Sequence, residues 1–197
     1  MAFAIPKIQY NNTDTMGDTT SGSGTITNVA DTSQLLQGMF CRGAGIPVGA
    51  IVDTFDSNSV TLAGGVLATI SDSAVVLAFG FEINFEYSPK EQNGEVVTTN
   101  ATTTDSLSGV RQVAVNYIGA VRSPIFSFLS PALYTLLSTF LNTWALTGKT
   151  FRYYDDQTLT SYVSYELDSL KVTPTKLHPR GVDLYSWEVP LNFRRVL

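Results

Sequence analysis

GTITNVADTSQLLQGMFCRGAGIPVGAIVDTFDSNSVTLAGGVLATISDSAVVLAF, residues Gly24 to Phe79, decides how this chain is divided. Its centre packs Gly43, Gly45 and Gly49 around Pro47. Glycine reaches positive φ at little cost and proline fixes φ near −65°, so this spacing predicts tight turns between short strands. Ala50–Phe55 and Ser59–Leu62 flank Asp56-Ser57-Asn58, a hairpin pattern. Asp31–Leu36 reads as one helical turn capped by Asp31 or Thr32. The stretch is a small β module that interrupts a second domain.

Working outward, Ile5–Tyr10 is a short strand and Asn11–Ser23, rich in Asn, Thr, Asp, Gly and Ser, reads as a loop. Val75, Leu77, Phe79, Phe81, Ile83, Phe85 and Tyr87 alternate along one long strand, and Gly80 inside it marks a bend or bulge. Thr-rich Ser88–Ser108 is expected to be a loop or arm, and Val110–Val121 a strand. Ser130 and Pro131 supply a helix cap and first position. Leu133, Leu136, Leu137, Phe140, Leu141 and Trp144 then recur at the helical period until Gly148. Thr150–Tyr154, Ser161–Val172 and Val182–Val196 are the remaining strands, with Asp155-Asp156-Gln157 a turn and Pro174–Gly181 a connection. The expected fold is mainly β (α+β): an antiparallel sandwich or sheet with one packed amphipathic helix at about 131–147. Residues 1–15 and 80–197 form the main domain, and 16–79 the inserted β module.

The chain has 197 residues, 44% hydrophobic and only 15% charged. About 25% charged is usual, so Thr, Ser and Asn must supply much of the polar surface. Net charge is −5, with three basic side chains against ten carboxylates in residues 1–100. No basic run tracks a phosphate backbone, which argues against sequence-specific nucleic-acid binding but suits DNA passing without sticking. The N-terminus lacks a secretory pattern and Ile125–Leu146 is too polar for a membrane span, so no membrane anchor is expected. The lone Cys41 excludes an intrachain disulfide and reads as a small buried hydrophobe in a protein kept in a reducing cytoplasm.

No catalytic, cofactor-binding or metal constellation emerges. His178, the sole histidine, has no orienting partner in any motif. Asp155-Asp156 reads as a turn former. Gly43-Ala44-Gly45 fails as a phosphate cradle because Pro47 and a strand follow it, where a helix is needed. The aromatic set Tyr153, Tyr154, Tyr162, Tyr165, Tyr185 and Trp187 suits cross-strand packing or an interface better than sugar stacking. Tyr153, Tyr154, Arg111 and Trp187 are the candidate interface residues.

Gly38-Met39, Gly43, Gly45-Ile46-Pro47, Gly49 and Val60-Thr61-Leu62 resemble a small β module scattered through tailed-bacteriophage virion proteins, approximately GM-x-VxGxGIPxGTxVxS…xTLS. Cys41 and Ala50 depart from its commonest residues. The flanks resemble a family of small phage structural proteins through Pro6, Ile8 and Tyr10; Phe85, Tyr87 and Pro89; Ser108–Arg111; and Gly148, Phe151, Tyr153-Tyr154 and Asp156. The resemblance implies a non-enzymatic tail, tail-tip or neck protein with a fold akin to tail-tube and distal-tail sandwiches. It further implies a homo-oligomeric ring, typically six-fold, joined to other tail or neck proteins in a virion assembled in the bacterial cytoplasm. The module would then project as decoration or lateral contact. A capsid-decorating or host-glycan-binding module is the alternative; a hydrolase would need a cleft of convergent titratable groups.

Overall fold

A computed structural model describes residues 4–91, 96–105, 111–168, 172–177 and 186–196, with backbone alone at 91, 96–105 and 111–118. In chain order the strands are β1 Lys7–Thr19, β2 Thr25–Ile26, β3 Phe40–Arg42, β4 Val52–Phe55, β5 Val60–Leu62, β6 Asp72–Asn84, β7 Lys90–Glu91, β8 Val96–Asp105, β9 Arg111–Arg122 and β10 Pro124–Leu129. Helix α1, Pro131–Thr143, is followed by β11 Phe151–Tyr154, β12 Val163–Leu167, β13 Thr175–Leu177, β14 Ser186–Pro190 and β15 Phe193–Arg195. The fold is mainly β, with antiparallel pairing and one α-helix among the described residues.

The chain divides into two compact units, 1–8 with 83–197, and 9–82. The inserted unit is wider at both ends than the expected 16–79. The cause is strand length: β1 and β6 are each 13 residues long and run across the boundary. The Asn/Thr-rich stretch after Tyr10 is therefore strand, not loop. Asn11 turns through positive φ (51°), which asparagine tolerates better than most residues, and the strand continues beyond it.

In the inserted unit, β2, β5 and β4 form one sheet, and β3, β6 and β1 lie side by side in another. Ile26, Met39, Cys41, Val52, Val60, Leu77 and Phe79 are all buried in its core. The Gly-rich motif resolves into two successive turns. Ile46 N–H donates to Gly43 O at 3.1 Å and Ala50 N–H to Pro47 O at 3.3 Å. Gly45 (φ 73°) and Gly49 (φ 88°) occupy the third position of each, where a type II turn needs positive φ. Asp31 forms a turn in place of the expected helix: its carboxylate accepts Ser33 N–H at 2.8 Å, and Leu35 N–H reaches Thr32 O at 3.0 Å. Gly80 makes no bulge against β3, since Phe40, Cys41 and Arg42 pair with Gly80, Phe79 and Ala78 without a slip. A Cβ there would stand 2.5 Å from Asn12 Oδ1 and 3.1 Å from the Phe40 ring, so glycine admits these neighbours.

In the larger unit, strands β11, β12, β15, β9 and β8 lie in that order in one sheet. Strands β13, β14, β10 and β7 form a second. Ser130 Oγ accepts Leu133 N–H at 3.3 Å and Pro131 opens α1. The helix buries Leu133, Leu137, Phe140 and Leu141, each side chain contributing roughly 1.5–3 kcal/mol. Leu136, expected on the same face, is exposed. Phe140 meets Phe151 edge-on at 5.2 Å, and Phe151 meets Phe193 at 5.0 Å. On the outer face Thr135, Thr139 and Thr143 each return a hydroxyl to the carbonyl four residues back. These self-satisfied hydroxyls give the helix a polar surface without charge.

Candidate interaction surfaces

The longest pairing in the larger unit is β8 with β9, from Val96–Val121 to Asp105–Arg111, with one slip between Asn100 and Ala101. The Thr-rich segment expected to be a loop or arm is thus a strand over Val96–Asp105, as β-branched threonine favours. Strand β8 is the last in its sheet. Strand β9 meets β15 at Val121 and Arg122, the two positions paired among the described residues. Beyond that point β8 and β9 form a two-stranded ribbon, roughly 30 Å long at about 3.4 Å per residue. Such a ribbon is marginally stable alone, and among the described residues no strand pairs with the outer edge of β8.

A second surface lies on β10. Between the pairs Phe126–Val189 and Leu129–Trp187, β10 has one residue more than β14. The extra residue is accommodated at Phe128, whose φ is 60°. Such a bulge position favours glycine, and a bulky residue there is strained. The bulge changes which side chains point inward. Phe126 is buried and stacks on Phe85 at 4.1 Å. Phe128 is 56% exposed and meets the 57% exposed Tyr87 edge-on at 6.4 Å. Lys90 Nζ lies 5.7 Å from the Phe128 ring and 3.8 Å from Glu188 Oε2, while Ser127 Oγ donates to that same oxygen at 2.7 Å.

The expected interface residues separate. Tyr153 is 2% exposed and lies edge-on to Tyr165 at 6.1 Å, with the Arg122 guanidinium 4.8 Å from its ring centre. Tyr154 is also buried, with Lys7 Nζ 4.6 Å from its ring centre. Both rings are buried in the folded chain. Trp187 stacks on Tyr134 at 4.2 Å and is half-buried. Arg111 begins β9, but its side chain lies outside the described residues, as do His178 and Tyr185. Tyr162 is exposed and carries Arg152 over its ring at 4.6 Å, a pair the alternation alone did not single out.

Asp155, Asp156 and Cys41 are each set by local contacts or burial. Asp155 pairs with Arg122. Asp156 accepts both the N–H and hydroxyl of Thr158 at 2.8 Å, first the backbone and then the side-chain bond holding its carboxyl below the ordinary range. Burial pushes the Cys41 thiol up to about 12. Among the described residues no three His, Cys, Asp or Glu side chains gather as a metal site, and no helix is long and apolar enough to cross a membrane.

Sequence reasoning passed over Gln157. Its N–H donates to Ile5 O at 2.8 Å, and its Nε2 donates to Pro6 O at 3.2 Å and Phe85 O at 2.7 Å. Its carbonyl accepts Lys7 Nζ at 2.9 Å. One side chain on the Asp156 turn thus ties the strand leading into the inserted unit to the strand leaving it. No protein-family model, curated protein or solved structure matches the chain.

Proposed function

We propose that this chain is a non-enzymatic structural protein of a tailed-bacteriophage virion, forming a homo-oligomeric ring in the tail, tail tip or neck. The observation that carries the reading is the β8–β9 ribbon. Among the described residues no strand covers the outer edge of β8, and Val96–Thr104 holds no charged residue. Exposed edges of this length are normally blunted by charge, proline or a cover, and a neighbouring copy supplies such a cover. Adding the ribbon to another copy's sheet joins two different surfaces, and head-to-tail contacts of that kind form a ring where the rotation between copies closes. The motifs at Gly38–Leu62 and Phe85–Asp156 support the placement in a phage particle. In this role the inserted unit is a passenger carried on the ring, and any DNA passes without sequence-specific contact.

The test pairs purified particles with purified protein. The reading predicts this chain among the particle's proteins by mass spectrometry, and closed rings of the recombinant protein in negative-stain images. A protein absent from the particles and monomeric at every concentration studied would refute it.

A further inference from the structure

We infer that the surface formed by Tyr87, Phe128 and the open edge of β10 is the acceptor for the β8–β9 ribbon of a second copy of this chain. The inference rests on the ring reading above and assigns the other half of that contact.

Strand β7 covers β10 only at Pro124 and Ile125, which pair with Glu91 and Lys90. The next residue in register is Pro89, which has no N–H to donate, so the ladder stops there. Among the described residues, β10 has no strand beyond β7 on that side. No described strand therefore pairs with Phe126–Leu129 on that side, where the bulge lifts Phe128 outward. A phenylalanine at φ 60° carries backbone strain that glycine would avoid, and the ring it displays is mostly exposed beside Tyr87. Strain that persists while displaying an apolar ring marks a surface with a use.

The choice of occupant follows from chemistry and placement. Lys90 pairs with Glu188 at 3.8 Å, so beside Phe128 the surface offers aromatic rings and backbone. The chain itself supplies a matching element: β8 is an open edge whose Val96–Thr104 segment is uncharged. Two strand edges, each without a partner strand among the described residues, complement one another by backbone pairing, with the rings covering the Thr-rich strand. The two elements are also neighbours in sequence, since the pairs Glu91–Pro124 and Val96–Val121 are five and three residues apart.

The experiment compares the sedimentation mass of the full chain, Phe128→Gly, Phe128→Tyr, and a ribbon variant with Thr99→Lys and Thr103→Lys. Glycine relieves the backbone at residue 128, so Phe128→Gly is expected to fold with an unchanged tryptophan fluorescence spectrum. Its self-association should weaken about 30-fold, the effect of losing an aromatic anchor. Phe128→Tyr should assemble like the wild type, and the ribbon variant should not assemble. If Phe128→Gly assembles as tightly as wild type while the ribbon variant does not, the acceptor assignment fails and the ring reading survives. If wild type itself is monomeric, the ring reading fails and this inference with it.

Discussion

Replacing Gln157 by alanine should destabilise the larger unit by about 1–3 kcal/mol. The side chain donates to Phe85 O at 2.7 Å and Pro6 O at 3.2 Å. Pro6 O keeps a second donor, Phe85 N–H at 3.3 Å, but no other bond is described to Phe85 O. Phe85 is buried, and leaving a buried carbonyl unsatisfied costs about 1–3 kcal/mol. At about 2–4 °C per kcal/mol for a chain of this size, the melting midpoint should fall by roughly 2–12 °C. The assay is favourable because both tryptophans, Trp144 and Trp187, lie in the larger unit. Tryptophan fluorescence in urea therefore reports that unit alone. Gln157→Glu is the sharper companion, since it keeps the shape but sets a carboxylate against two carbonyl oxygens. It should be worse than alanine at neutral pH and partly recover on acidification. If Gln157→Ala unfolds within about 0.5 kcal/mol of wild type, the clamp contributes nothing and the reasoning fails.

Two further predictions concern the inserted unit, which contains no tryptophan but holds the buried Cys41. Gly80→Ala should cost about 1–3 kcal/mol by crowding Asn12 and Phe40, raising the Cys41 alkylation rate roughly 5- to 150-fold; an unchanged rate would show that those neighbours yield freely. Asp18 accepts Asn28 Nδ2 at 2.7 Å and Ala74 N–H at 2.9 Å, and these bonds hold its carboxyl below the ordinary 3.8. Because the folded value is depressed, its stabilisation is present above 3.8 and is lost as pH falls through the lowered value. Asp18→Asn should therefore weaken the unit at neutral pH and lose that deficit in acid, by the same alkylation readout; a deficit independent of pH would contradict the assignment.

How much was legible in the sequence depends on what specifies each element. Helix α1 was readable because its cap, first proline and apolar repeat are all local; it ends at Thr143, short of the expected Gly148, which at φ 77° closes a following 3-10 turn over Ala145–Thr147. The turns at Gly45 and Gly49 were readable because positive φ leaves a residue-type signature. Strand β1 was readable only to Tyr10, because Asn11–Thr19 is held by pairing in a sheet, and backbone pairing does not require apolar alternation. Strand β10 escaped because phenylalanine occupies the bulge position where glycine would have announced it. Gln157 escaped because its four bonds reach residues distant in sequence. Tyr153 and Tyr154 looked like interface anchors from alternation, but which face of a strand is covered is a tertiary property, and both rings turned inward.

Residue-by-residue amide hydrogen exchange along β8 tests the central claim most directly. In an isolated ribbon, alternate amides of Val96–Asp105 point to β9 and the others to solvent, with one step in the alternation at Asn100–Ala101. A ribbon paired to a second copy protects both sets. The account predicts slow exchange at consecutive β8 amides in the concentrated full-length protein, reverting to alternation in the Thr99→Lys, Thr103→Lys variant. Alternating fast and slow amides in the concentrated wild type would contradict it.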